Sequence, residues 1–438
     1  SSNSVLRQWE ARGQVRFKQL RGFSRLFPIP MYIDETSVKF NTNNMTLSGA
    51  RLHLGKSDFT LSGELSDIRR AMLRGGKLKA NFELESDLID CNQLMLAIGK
   101  GLQFSDQLAS NSVGAFSEDS ISVLETDHLL ANTVDSVATD SISQLFVVPK
   151  FLDLTLHTNA KKIDFKDLKL EDVKGEVVIR DQSINLSDLC MSSNIGSGDL
   201  TMVYTTKTDQ EATMGFELSL NDILVERLIS LFPDIDTLVP MLRSFEGMVD
   251  CQMTATCKAD STMSVLLPSV NASCYLSGKN MVLLDGETFT EISKTLMFKN
   301  KKRNMIDSIA VDLAIHDNKI EVFPFLVEMD RYKVAVGGTH NLDMTFDYHL
   351  SVLKSPVPFK LGIDIKGNLD DFKFKIVKCK YKDFLKPTKQ AELDSTRRNV
   401  REEIRETIRK QIREAAPELG NSLSEIHPHT HGHVEEST

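Results

Sequence analysis

Tryptophan is almost missing from this chain, with one residue in 438, and tyrosine is scarce at six, while phenylalanine reaches 23. That balance disfavours a carbohydrate or base-stacking site, which needs rings with a hydrogen-bonding edge, and favours plain apolar burial. Cysteine is equally sparse. Cys91, Cys190, Cys251, Cys257, Cys274 and Cys379 lie far apart with no CxxC pair. They define neither a disulfide framework nor a zinc site, and buried free thiols are expected. Positive charge is in deficit: the net charge of −9 is the wrong sign for a face that meets nucleic-acid phosphates. No run approaches the ~20 apolar residues of a membrane-spanning helix. No signal peptide is visible, and the opening on Ser1 rather than Met points to a fragment. HExxH, GxSxG and a glycine-rich phosphate loop are also missing. The expectation is a non-enzymatic chain without cofactor or metal site.

What the chain does have is alternation. Hydrophobic residues make up 41%, and many recur with a period of two, which places them on one face of a strand. The clearest case is Ile309 to Val377, an antiparallel meander. Val311, Leu313 and Ile315 share one parity with Ile309, then Ile320 and Val322 follow Asp317-Asn318-Lys319. Met344, Phe346, Tyr348, Leu350 and Val352 alternate with polar residues. Leu361, Ile363 and Ile365, then Phe372, Phe374 and Ile376, close the series. These form one long apolar surface, and the functional question is what covers it.

The remainder divides into blocks. Residues 1–102 form a first β block, with strands from Met31 to Leu65 and from Leu78 to Leu84. A short helix follows, capped by Asp90 with Gln93 at the third position, a capping-box pattern. Six basic residues before position 30 (Arg7, Arg12, Arg16, Lys18, Arg21, Arg25) read as a solvated strand face or as proximity to an anionic membrane. Residues 103–149 form an acidic insertion without Lys or Arg, expected to be disordered. Its Asp119-Ser120-Ile121, Asp135-Ser136-Val137 and Asp140-Ser141-Ile142 resemble O-glycosylation acceptor triplets of Bacteroidetes. Residues 150–246 repeat the plan: strands, then a helix expected over 221–231, with a second helical piece after Pro233. Phe82-Glu83-Leu84 and Phe216-Glu217-Leu218 occupy corresponding places in the two blocks. Residues 247–386 hold the third block, including a basic cluster at Lys299 to Arg303. Residues 387–438 carry a charged helix, with Val400, Ile404, Ile408 and Ile412 as its narrow apolar stripe, and Glu402/Arg405 and Glu406/Lys410 as ion pairs. His427, His429, His431 and His433 alternate in the tail beyond it. The fold class expected is mainly β: an elongated, curled antiparallel sheet, a β-groove built from repeated blocks with a few short helices.

Residues 317–325, Asp330-Arg331-Tyr332, Gly337-Gly338-Thr339, Asn341-Leu342-Asp343, Asp347-Tyr348-His349-Leu350, Ser355-Pro356-Val357-Pro358 and Ile365-Lys366-Gly367-Asn368-Leu369 follow one another in an order that resembles the C-terminal region of the AsmA family, in its Bacteroidetes form. Ser57-Asp58-Phe59-Thr60-Leu61-Ser62-Gly63 and Leu88-Ile89-Asp90-Cys91-Asn92-Gln93-Leu94-Met95 are similar to the family's upstream signatures. The resemblance covers most of residues 13–385 and leaves out the acidic insertion and the helical tail. It implies an envelope protein related to TamB and the bridge-like lipid carriers, periplasmic and tied to the inner membrane by an N-terminal anchor that this sequence lacks. It also implies phospholipid as ligand, the membrane and envelope proteins as partners, a role in outer-membrane biogenesis, and no catalytic residues. Val311, Leu313, Ile315, Ile320, Val322, Met344, Phe346, Tyr348, Leu350, Val352, Leu361, Ile363 and Ile365 are the expected groove lining. Alternation alone leaves two arrangements open, a trough shared with lipid tails and a face closed on itself as an ordinary core. The alternative function is a non-enzymatic periplasmic scaffold that takes protein partners on its edge strands or its C-terminal helix.

Overall fold

The structure, a computed structural model, describes residues 10–24, 27–34, 36–74, 76–97, 100, 145–165, 168–193, 196–231, 242, 245–283, 305–329, 332–341, 343, 345–355, 360–368 and 371–415. The strands of the first block are β1 (Arg12–Phe17), β2 (Leu20–Ser24), β3 (Phe27–Ile33), β4 (Thr36–Asn41), β5 (Met45–Leu54), β6 (Ser57–Ser66), β7 (Leu78–Ser86) and β8 (Ile89–Asp90). Helix α1 (Ile68–Arg74) interrupts them, and α2 covers 91–97. The second block holds β9 (Leu152–Phe165), β10 (Leu168–Arg180), β11 (Ser183–Ser193), β12 (Gly196–Thr205), β13 (Glu211–Leu224) and α3 (Val225–Leu231). The third holds β14 (Phe245–Glu246), β15 (Met248–Asp260), β16 (Asn271–Leu283), β17 (Met305–His316), β18 (Lys319–Met329), β19 (Tyr332–Asn341), β20 (Phe346–Lys354), β21 (Leu361–Gly367) and β22 (Phe372–Val377). Helix α4 (Pro387–Ala415) closes the described chain.

All 22 strands belong to one open sheet, and the block boundaries leave no break in it. Strands β5, β6 and β7 pair in succession, with β3 and β4 side by side on opposite ends of β5. From β9 onward the chain runs as a meander to β22, except that β13 pairs directly with β15 and the two-residue β14 pairs with the end of β16. The sheet is antiparallel with one correction: β9 lies parallel to β7 and β8, with Phe82 beside Leu156 and Ile89 beside Ile163. A parallel return needs a long crossover, and the connection from α2 to β9 supplies it. The Phe-Glu-Leu copies therefore sit on β7 and β13, yet the chain comes back parallel after the first and antiparallel after the second.

Aspartate and asparagine shape the sheet. Asp181-Gln182 and Asp317-Asn318 take positive φ at both positions of two-residue hairpin loops, the twist that suits tightly joined strands. Asp172, Asp188, Asp222 and Asn280 also take positive φ, but inside β10, β11, β13 and β16. The register slips at three of them, between Glu171 and Lys174, Leu186 and Leu189, and Leu220 and Ile223. These are β-bulges, which bend a strand and increase local twist.

Three local expectations change. The helix expected from Asn221 begins only at Val225, because Asp222 bulges and Ile223, 1% exposed, stays in the ladder opposite Val249. Asp90 does cap α2, its Oδ1 accepting from the Gln93 amide at 2.9 Å, but the capping box is not reciprocal. The Gln93 side chain accepts instead from the Lys56 amide at 2.8 Å, and the Asp90 amide donates to Ser57 Oγ at 2.9 Å. The last residues of the expected acidic insertion are pinned: Leu145 and Val148 are buried, the Val148 amide donates to Thr206 Oγ1, and Tyr204 Oη donates to the Phe146 carbonyl. The rest of that insertion, Lys299 to Arg303, the histidine tail and the piece after Pro233 up to 241 lie outside the described residues, and the end of that piece, Phe245–Glu246, is strand β14.

Candidate lipid trough

Pairing register turns the alternation into a surface. Cys251 stands opposite Leu276, Leu276 opposite Val311, Leu313 opposite Val322, Val336 opposite Leu350, and Leu350 opposite Ile363. One apolar face, termed the inner face, thus runs from β13 to β22. Leu313, Ile315, Ile320, Val322, Tyr348, Val352, Ile363 and Ile365 are buried in a single cluster, with Val311, Phe346, Leu350 and Leu361 packed against it. Met344 is outside the described residues. The expected lining is therefore brought together on one face. It is wider than expected, and Val249, Cys251 and Ala255 of β15, Cys274 and Leu276 of β16, and Leu228 of α3 belong to the same cluster.

Strand β18 shows how a period of two fails locally. Its register slips between Val322 and Phe325, so Phe325 and Val327 return to the inner face while Phe323 and Pro324 meet α4 on the other side. The inner face also holds His340, 1% exposed and stacked on Phe346 with centroids 6.3 Å apart. Burial pushes the Tyr348 phenol up to about 12. All six cysteines are free thiols. Cys251 and Cys274 face each other with sulfurs 4.0 Å apart, and the Cys251 thiol together with burial raises the pKa of Cys274 well above its ordinary value.

A cavity of about 70 Å³ lies among Leu242, Phe245, Met281, Leu313, Phe325 and Tyr348. The face is exposed at its last strand, where Phe374 is 41% and Ile376 62% exposed.

The C-terminal helix covers the outer face instead. Ile404 and Ile408 bury against Val203 with Val400 alongside. Gly215 permits the approach, since a Cβ there would lie 3.2 Å from Ile408 Cγ1 and 2.8 Å from Gln411 Oε1. Three arginines anchor the helix. Arg397 Nε and Arg401 Nη2 lie 3.4 and 3.1 Å from the two oxygens of Asp312, and Arg405 Nε lies 3.2 Å from Glu217. Burial raises the pKa of Asp312, and the two guanidiniums offset that only in part. Of the expected helical ion pairs, Glu402–Arg405 forms at 3.0 Å, whereas Glu406 takes Arg409 rather than Lys410. A broad cleft of about 750 Å³ between β15–β18 and the start of α4 is walled by Asp250, Lys279, Glu328 and Arg397 beside Tyr275 and Phe384. Its mixed charges set it apart from the trough.

A Ser-His-Asp constellation also sits on the outer face. His349 Nδ1 is 2.6 Å from Asp364 Oδ1, and its Nε2 is 2.9 Å from Ser351 Oγ. These separations match a hydrolytic triad, but the surroundings give the group a different task. Ser351 and His349 are 0% and 3% exposed. The Lys380 amide donates to His349 Nε2 at 3.1 Å and the Tyr381 amide to Ser351 Oγ at 3.0 Å. The nucleophile and base positions are thus occupied by backbone donors, and the group holds residues 378–386 against the sheet. Among the remaining histidines, His53, His157 and His316 are partly exposed beside Asp34, Glu176 and Asp317.

Comparison with protein-family models and with curated proteins returns no match.

Proposed function

We propose that the chain is an AsmA-like envelope protein of the periplasm, attached to the inner membrane, whose apolar β-trough shields phospholipid acyl chains during transport for outer-membrane biogenesis. The observation that carries this reading is the division of labour between the two faces. The inner face is apolar over ten successive strands from β13 to β22, while α4, the longest helix among the described residues, lies on the outer face. With about eighteen ranks at ~4.8 Å spacing the sheet is ~80 Å along its path. Its strands of up to 14 residues outreach an acyl chain of ~15 Å, half a bilayer core. Such carriage is passive, since hydrophobic contact is non-directional and needs no cofactor. A cavity of about 70 Å³ falls short of the ~300 Å³ at which ligand pockets begin, so a tail enters by parting side chains, starting where Phe374 and Ile376 are already exposed. The scaffold reading is weaker for the helix, because Ile404 and Ile408, its apolar stripe, are spent on Val203.

Native mass spectrometry of the purified chain tests the reading. Phospholipid is expected to co-purify, and Leu313→Asp with Phe346→Asp is expected to remove it while the circular dichroism of the sheet is kept. A lipid-free preparation, with a double variant that simply unfolds, would mean that the face is an ordinary core.

A further inference from the structure

The last rank of the sheet carries chemistry that the trough does not explain. Strand β22 pairs with β21 on one side, Ile365 opposite Phe374 and Ile363 opposite Ile376, and its other edge is unpaired among the described residues. Ile363 and Ile365 are buried, but their partners on β22 stand in solvent, Ile376 at 62%. The lysines around this lip are numerous. From Lys354 to Lys389 there are ten lysines against four aspartates, a local charge of +6 in a chain of −9. Lys366, Lys380, Lys386 and Lys389 have carboxylate partners. Lys373, Lys375, Lys378 and Lys382 are exposed and make no ion pair among the described residues. Lysines do guard sheet edges against pairing with other chains, but Lys378 and Lys382 lie beyond the strand, and a guarded edge gains nothing from a bare isoleucine beside it.

We infer that β22 and the turn after it form a docking surface for an anionic phospholipid bilayer. Phe374 and Ile376 would enter the boundary between headgroups and acyl chains, while Lys373, Lys375, Lys378 and Lys382 meet lipid phosphates from the rim. An apolar lip that inserts only shallowly gives weak binding alone, and basic side chains near an anionic surface add about fivefold each. The surface stands whether or not the trough carries lipid.

Co-sedimentation of the whole chain with vesicles tests it, comparing phosphatidylcholine alone with phosphatidylcholine containing phosphatidylglycerol. Binding is expected only with the anionic lipid and should weaken as salt is raised. Charge reversal at the four lysines (K373E/K375E/K378E/K382E) should lower it about a hundredfold or more, with the melting temperature unchanged. Phe374→Ser with Ile376→Ser should leave an entirely salt-sensitive residue of binding. The inference is overturned if the parent chain ignores phosphatidylglycerol vesicles, or if the charge-reversed variant binds them as well as the parent. It is equally overturned if light scattering shows these substitutions breaking a dimer formed through β22 while no vesicle is bound. Vesicle binding and co-purified lipid are read separately, so the inference and the trough can fail independently.

Discussion

Asp312→Ala should release the outer-face helix while leaving the sheet standing. The carboxylate is 9% exposed and is shared by Arg397 and Arg401, themselves 19% and 26% exposed. Removing one member of a fully buried charge cluster costs ~3–5 kcal/mol, chiefly because the remaining charge is stranded. Here the guanidiniums keep partial access to water. Arg397 also donates to the Pro324 carbonyl at 2.7 Å and pairs with Asp394, and Arg401 lies over the Tyr275 ring. A cost of about 2 kcal/mol results, or roughly thirtyfold in the equilibrium between docked and open helix. Burial already raises the pKa of Asp312, so the carboxylate is held at some expense. Asp312→Leu combined with Arg401→Met should therefore recover most of the loss. Hydrogen exchange of the amides from Val400 to Ile408 measures the opening directly, and melting of the sheet controls for global damage. Unchanged exchange in Asp312→Ala would refute the clamp. A double replacement worse than the single would refute the account of its energetics.

Other consequences are local. Asn318 has φ of 60° in its hairpin loop; Asn318→Gly should be neutral or slightly stabilising, and Asn318→Val should cost ~1–2 kcal/mol in denaturant unfolding. At Asp364 burial opposes ionisation, but hydrogen bonds from His349 and Lys380 bring the pKa below the usual 3.8. A carboxylate with a depressed folded-state pKa stabilises above its unfolded value, so its hold on residues 378–386 is complete above about pH 5 and is lost as pH falls through the lower folded pKa. Exchange of the Lys380 and Tyr381 amides should show that loss, and Asp364→Asn should flatten it.

The strands of the meander are legible in the sequence because Leu313, Ile320, Tyr348 and Ile363 obey a strict period of two. The bulges are not. Pro324 in β18 and the left-handed Asp188 and Asp222 each add a residue that a periodic reading counts as one more alternation. The part of the outer face covered by α4 and by residues 378–386 escapes such a reading for a different reason. Polar-parity positions suggest a solvated face, whereas several are small: Ala314 is 1% exposed, Ala335 0%, Ser351 0% and Thr254 4%. Glycine at 215 and 337 continues the pattern, the latter admitting Tyr381, whose Oη would lie 2.8 Å from a Cβ there. A run of small residues on the side assigned to water is the signal that marks a covered face. The parallel return of β9 onto β7 leaves no local mark, because it is decided by a long connection and not by either strand.

The placement of α4 has a consequence for cooperativity. In a sheet of this kind each rank touches only its two neighbours, so stability is nearly a sum of adjacent pairings and opening can begin at either end. Helix α4 breaks that rule by touching β11, β12, β13, β15 and β16 together, and by reaching β17 and β18 through Asp312 and Pro324. It acts as a splint across the middle ranks, which must open as one unit or first shed the helix. The ranks from β19 to β22 lie past the splint, and there the shorter strap of residues 378–386 crosses β19, β20 and β21.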